Sequence, residues 1–210
     1  MSALCAPYRR RVKLVATLDT KEVSGSCWVS GVAELNDNVY VVVFDSNTVN
    51  VFERKSSYNR LEDIVIKEMK NPRDMAADFT RGHLFIADGE GQCVWRVEIN
   101  DKANDERCPW NKVNGHEDGG VEMMKAVKWA DVKGVPRSVS VTATGDVLVL
   151  VNDSNCKELT VFDNEGKNVG TFSLKSTALR DPLHVIPTSI DKFLVCHGDC
   201  ISLVDRKMKS

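Results

Sequence analysis

PRDMAADFTRGHLFIADGEGQCVWRVE, from Pro72 to Glu98, carries the pattern from which the fold follows. A short alternating segment built on Met75 and Ala77 leads into a polar turn at Thr80-Arg81-Gly82. The run LFIA that follows is apolar without alternation, which marks a strand covered on both faces. Asp88 and a Gly-rich turn end that run, and a third strand finishes on Val97-Glu98. Three short strands joined by tight turns, with the middle one wholly apolar, form one antiparallel sheet rather than a domain.

The same order of events occurs three more times. VSGVAELNDNVYVVVFDSNTVNVFE begins at Val29, PRSVSVTATGDVLVLVNDSNCKELTVFD at Pro136 and PLHVIPTSIDKFLVCHGDCISLVD at Pro182. Each carries an apolar residue three residues in (Val32, Met75, Val139, Val185) within a short alternating strand, and each has an Asp after its apolar run (Asp45, Asp88, Asp153, Asp199). Each also closes on an apolar residue followed by an acid: Phe52-Glu53, Val97-Glu98, Phe162-Asp163 and Val204-Asp205. Fourth, outer strands are expected in LEDIVIKEM, in the region VEMMKAVKWADV and in NVGTFSLKS. The starts are 43, 64 and 46 residues apart. A four-stranded propeller blade takes about 40 to 50 residues, so only the second repeat holds a large insertion.

These features predict an all-β chain: a β-propeller of four blades, over about 28–69, 71–133, 135–176 and 182–205, with an insertion over about 99–122. The last repeat ends after three strands, and RVKLVATL precedes the first. A strand over 12–18 is therefore expected to clasp the last blade, removing an exposed sheet edge. The alternative is that the four blades belong to a larger ring.

The Pro72 segment resembles an NHL repeat through its leading Pro, Ala77-Asp78, Gly82 and the apolar-Ala-Asp ending at Asp88. The Pro136 segment resembles it next best; the first and last keep mainly the apolar skeleton. The resemblance implies a propeller of the type found at the recognition end of tripartite-motif ubiquitin ligases, typically six-bladed. This chain has no RING or B-box cysteine pattern, so the implied role is that of a substrate-recognition piece alone. WD repeats are disfavoured because neither Gly-His nor Trp-Asp stands at the blade positions.

Charge and composition narrow the function. With 28 Lys and Arg against 30 Asp and Glu, the formal net charge is -2. RNA binding through one propeller face, which some NHL propellers perform, is disfavoured, because phosphate-backbone affinity draws on a cationic surplus. Arg9, Arg10, Arg11, Lys13, Arg206, Lys207 and Lys209 read as solvated ends of the chain. No apolar run reaches the roughly 18 residues of a membrane span, and the first residues lack a secretory pattern, so a soluble cytoplasmic protein is expected. Seven cysteines without paired spacing fit reduced thiols.

No nucleophile elbow, zinc-protease motif or phosphate loop is present, so no enzyme is indicated. The four repeated Asp residues could ring a channel as Ca²⁺ ligands in a lactonase-like hydrolase. Their recurrence in every blade favours turn capping instead. His83, His116, His184 and His197 are scattered, and Cys196, His197 and Cys200 lack zinc spacing, so neither metal nor cofactor is expected. Binding of a protein partner is expected at loops sharing one face: Arg73 and Arg137, each after a Pro, with Asn47, Glu90, Gln92, Asn155, His184 and His197. Trp110, in an insertion carrying seven acids and three bases between Glu98 and Glu122, is a further docking candidate.

Overall fold

The computed structural model describes residues 28–54, 58–99, 124–175, 179–189 and 192–205. They form sixteen β-strands and no helix. Blade 1 holds β1 (Val29–Leu35), β2 (Asn38–Val43), β3 (Thr48–Glu53), β4 (Asn59–Arg60) and β5 (Ile64–Val65). Blade 2 holds β6 (Pro72–Asp78), β7 (His83–Asp88), β8 (Cys93–Ile99) and β9 (Met124–Asp131). Blade 3 holds β10 (Pro136–Val141), β11 (Val147–Asn152), β12 (Lys157–Phe162) and β13 (Asn168–Ser173). Blade 4 holds β14 (Pro182–Ser189), β15 (Lys192–His197) and β16 (Cys200–Asp205). Blades 2, 3 and 4 are antiparallel meanders in sequence order, blade 1 differs in that β4 and β5 both pair with β3, and together they make a four-bladed β-propeller.

Local sequence explains each meander. Asn36 and Asp37 both adopt positive φ, 53° and 58°, between the paired residues Leu35 and Asn38. This two-residue turn matches strand twist, and Asn and Asp tolerate the left-handed region. Gly82 and Gly145 take the corresponding positive φ in the longer first turns of blades 2 and 3. The continuous apolar runs are buried on both faces as expected: all six residues of β11 are buried, as are Leu84 to Asp88 of β7.

The blades pack through three apolar layers. Leu35, Tyr40, Val42 and Val49 of blade 1 meet Met75, Leu84, Ile86 and Val97 of blade 2. Between blades 2 and 3, Phe85, Ala87 and Val94 pack with Val139, Val147, Val149 and Phe162. Trp129 bridges that layer, its ring centroid 4.7 Å from Phe85 and 5.7 Å from Phe162. Leu148, Leu150 and Leu159 of blade 3 pack with Val185, Phe193 and Val195 of blade 4. Each fully buried side chain of this size contributes about 1.5 to 3 kcal/mol. Among the described residues no fourth cluster joins blade 4 to blade 1.

One feature departs from the sequence reading. The outer strand expected in LEDIVIKEM is reduced there to the two residues of β5, while β4, also two residues, lies just before that segment, and both pair with β3. The four blades expected from the repeats are present, and no further blade occurs among the described residues. The clasp over 12–18 and most of the 99–122 insertion, with Trp110, lie outside the described residues.

Candidate functional site at the mouth of the central channel

The four inner strands share one irregularity. Register slips by a residue between Val29 and Gly31, Pro72 and Asp74, Pro136 and Ser138, and Pro182 and His184. A bulge inserts one residue and re-aims its neighbours. Here it sets two tiers around one end of the propeller axis. Ser30, Arg73, Arg137 and Leu183 form the outer tier, and Gly31, Asp74, Ser138 and His184 form the inner one.

Gly31 is the position where bulk is excluded. A Cβ there would lie 2.6 Å from the Met75 backbone nitrogen, so only glycine lets β1 approach β6 this closely. Ser30 Oγ donates to the Pro72 carbonyl at 2.7 Å, tying blade 1 to blade 2. Asn152 Nδ2 donates to the Pro182 carbonyl at 2.9 Å, tying blade 3 to blade 4.

In the outer tier, the Arg73 guanidinium lies 4.5 Å above the Phe44 ring. Its Nε is buried without a hydrogen-bond partner. Burial and the neighbouring Arg137 charge lower the Arg73 pKa, opposed by Asp45. Arg137 Nε donates to the Asn152 carbonyl at 3.2 Å. Neither guanidinium forms an ion pair among the described residues. Two neighbouring cations, with the Asp45 charge acting on one of them short of an ion pair, can attract an anionic group.

The inner tier spans three blades. His184 Nδ1 is 3.1 Å from Asp74 Oδ2 and 2.7 Å from Ser138 Oγ. Asp74 Oδ2 also accepts the Val139 backbone N–H at 3.1 Å. The hydrogen bond to Asp74 raises the His184 pKa against the opposing effect of burial. Ser138 is fully buried, and its Oγ also accepts from the Val185 backbone N–H at 3.4 Å. This cluster is not a nucleophile with its base: carboxylate and hydroxyl converge on the same ring nitrogen, whereas a hydrolytic triad uses both. Beyond it, a cavity of about 690 Å³ is lined from all four inner strands, by Val32, Met75, Val139 and Ile186 among others.

The other sequence candidates take different places. Asn47, Glu90, Gln92 and Asn155 are exposed on the turns joining second and third strands. Glu90 pairs with Lys70 at 3.7 Å, and Gln92 has a positive φ of 48°. His197 is buried, its Nδ1 accepting from the Arg180 N–H at 3.2 Å and its Nε2 lying 2.8 Å from Ser202 Oγ. Both ring nitrogens are thus used inside blade 4. Asp74 and Ser138 escaped the sequence reading, although they stand two residues after Pro72 and Pro136, as His184 does after Pro182.

The repeated Asp residues divide. Asp88 accepts from the Lys70, Asn71 and Gly91 backbone N–H groups and from Trp95 Nε1. Asp153 accepts from Val135, Asn155 and Cys156. These two cap turns. Asp45 occupies a left-handed turn position at φ 59°, and Asp199 is exposed. Among the described residues no three His, Cys, Asp or Glu side chains converge as a metal-binding group.

No protein-family model matches the chain, and no curated protein sequence matches it. Solved structures do. Hydrazine synthase of Kuenenia stuttgartiensis superposes with a TM-score of 0.63 at 11% identity, over 90% of this chain and 49% of that one. A nidogen/laminin complex gives 0.61 at 12% identity, over 85% of this chain and 60% of that one. The β-propeller domain of Myceliophteria thermophila Cps50 (Swd1) gives 0.59 at 11%, over 84% and 53%. The chain spans about half to three fifths of the length of these structures, and at such identities the likeness is one of fold.

Proposed function

We propose that this propeller is a non-enzymatic protein-interaction module that holds an acidic segment of a partner at the arginine-bearing mouth of its channel. The observation that carries the reading is the Arg73–Arg137 pair, two neighbouring guanidiniums that form no ion pair among the described residues. Arginine offers a planar fork that pairs bidentately with carboxylates, and it is enriched among residues that dominate binding energy. The bulges support the same reading, since they fix both arginines on a rigid scaffold and leave little entropy to lose on binding.

The NHL-type marks in blades 2 and 3 favour a substrate-recognition role of the kind such propellers play in ubiquitin ligases, in the cytoplasm where the thiols stay reduced. The test is capture from a cell extract by the wild type and by an Arg73→Glu, Arg137→Glu double variant with an unchanged melting temperature. Loss of the wild type's specific partners supports the reading; retention of all of them refutes the choice of face. Filter binding over a salt series examines RNA at the same face, and tight binding with a steep salt slope would replace the protein-partner reading.

A further inference from the structure

Below the arginines, the channel wall combines apolar surface with one polar atom left over. Val29, Val32 and Ile186 line the cavity and are 48%, 56% and 45% exposed, so their apolar surface faces the cavity rather than a core. Half-buried Val141 continues that wall, with the buried Met75 and Val139 behind it. Open apolar surface in a concavity of this size marks a ligand site, because a ligand removes it from water without rearranging the protein. The other polar side chains of the wall are used. Ser30 Oγ donates to Pro72, Ser140 Oγ donates to the Val185 carbonyl, and Asp74 accepts from Val139 and faces His184. His184 is the exception. Its Nδ1 is held by Asp74 and Ser138, and its Nε2 has no partner among the described residues, on a side chain 41% exposed.

We infer that the channel is a binding site for a carboxylate on an apolar stem, the stem lying on Val29, Val32, Val141 and Ile186 and the carboxylate accepting from His184 Nε2. A protonated imidazole whose Nδ1–H is bound to Asp74 presents Nε2–H as a donor, which selects an acceptor oxygen over an ammonium or an inert alkyl end. Arg73 and Arg137 at the mouth add positive potential that favours an anion over a neutral molecule. From the partner reading above, the inference borrows only that potential. The carboxylate could belong to a free organic acid or to the last residue of a partner chain.

The probe is carboxyl-labelled octanoate, titrated into the full chain and followed by NMR, with octanol and octylamine as isosteric controls. The expected result is saturable octanoate binding with a Kd of about 1 mM or tighter, and at least about tenfold weaker binding of both controls. His184→Asn should weaken octanoate about tenfold. Val32→Trp, a substitution at an exposed wall position that spares the core, should abolish binding with melting unchanged. No octanoate binding, equal binding of octanol, or full binding by the Val32→Trp protein overturns the inference.

Competition by acetyl-Gly-Gly-Leu with a free terminus, but not by its amide, assigns the site to a chain end. Octanoate binding with no competition by either peptide assigns it to a free acid. Both patterns support the site. Retained octanoate binding in a double arginine variant that has lost its partners separates this site from the mouth, and loss of octanoate binding in Val32→Trp with partners retained does so from the other side.

Discussion

Replacing Asp88 by Asn changes one atom at a carboxylate that accepts four hydrogen bonds. Asp88 is fully buried; Oδ1 accepts from Asn71 and Gly91 at 3.0 Å each, and Oδ2 accepts from Lys70 and Trp95 Nε1 at 3.1 Å each. An amide keeps one oxygen for two of these donors and turns an NH₂ toward the other two. Each buried donor left without an acceptor costs about 1 to 3 kcal/mol, so Asp88→Asn should lose about 2 to 5 kcal/mol. For a domain of this size that is a fall in melting temperature of about 5 to 15 °C. Urea denaturation at pH 7 measures it. Trp95→Phe in the Asp88→Asn background removes one stranded donor, so it should cost less than Trp95→Phe in the wild type. An Asp88→Asn protein within about 0.5 kcal/mol of wild type would refute the capping account, since an exposed, uncommitted carboxylate would behave that way.

Further outcomes follow from the same physics. Burial alone would raise the Asp88 pKa, but the bonds from Gly91, Asn71, Trp95 and Lys70 hold it below 3.8. Its stabilisation is therefore present above pH 3.8 and lost as pH falls through the lower folded value, and Asp88→Asn should flatten acid unfolding in that window. His184 has the opposite sign: the Asp74 bond raises its pKa above 6.5, so its contribution is complete below 6.5 and lost as pH rises through the folded value. Melting temperature followed from pH 6 to 9 should drop less in His184→Asn than in wild type. Gly31→Ala forces a methyl group to 2.6 Å from the Met75 nitrogen and should cost about 1 to 3 kcal/mol in thermal denaturation. In alkylation with iodoacetamide, exposed Cys200 should react in the native protein, while Cys93, buried with its pKa pushed up to about 11, should react only on unfolding.

The blades were legible because their information is local. VYVVVF, LFIA and VLVLV state burial on both faces, and Asn36-Asp37, Gly82 and Gly145 state where the chain turns. The outer strand of blade 1 was less legible, because pairing with β3 at two separate points depends on the partner strand rather than on LEDIVIKEM. Arg73 and Arg137 could be chosen from sequence, since a Pro fixes each at a strand start. The register slips that aim them are a property of two strands together, and no single segment encodes them. The His184 cluster was half visible: His184 was singled out for its loop, while Asp74 and Ser138, 110 and 46 residues away in the chain, entered only when the blades were brought together. Superposing the repeats at their third residue would have shown Asp, Ser and His in one tier.

The central claim, that Arg73 and Arg137 form the recognition surface, is tested most directly by quantitative capture with wild type and the double Glu variant at matched folded concentration. Reversing two interfacial charges should lower recovery of the specific partners by about 100-fold and leave the melting curve in place. Equal recovery by both proteins would contradict the account.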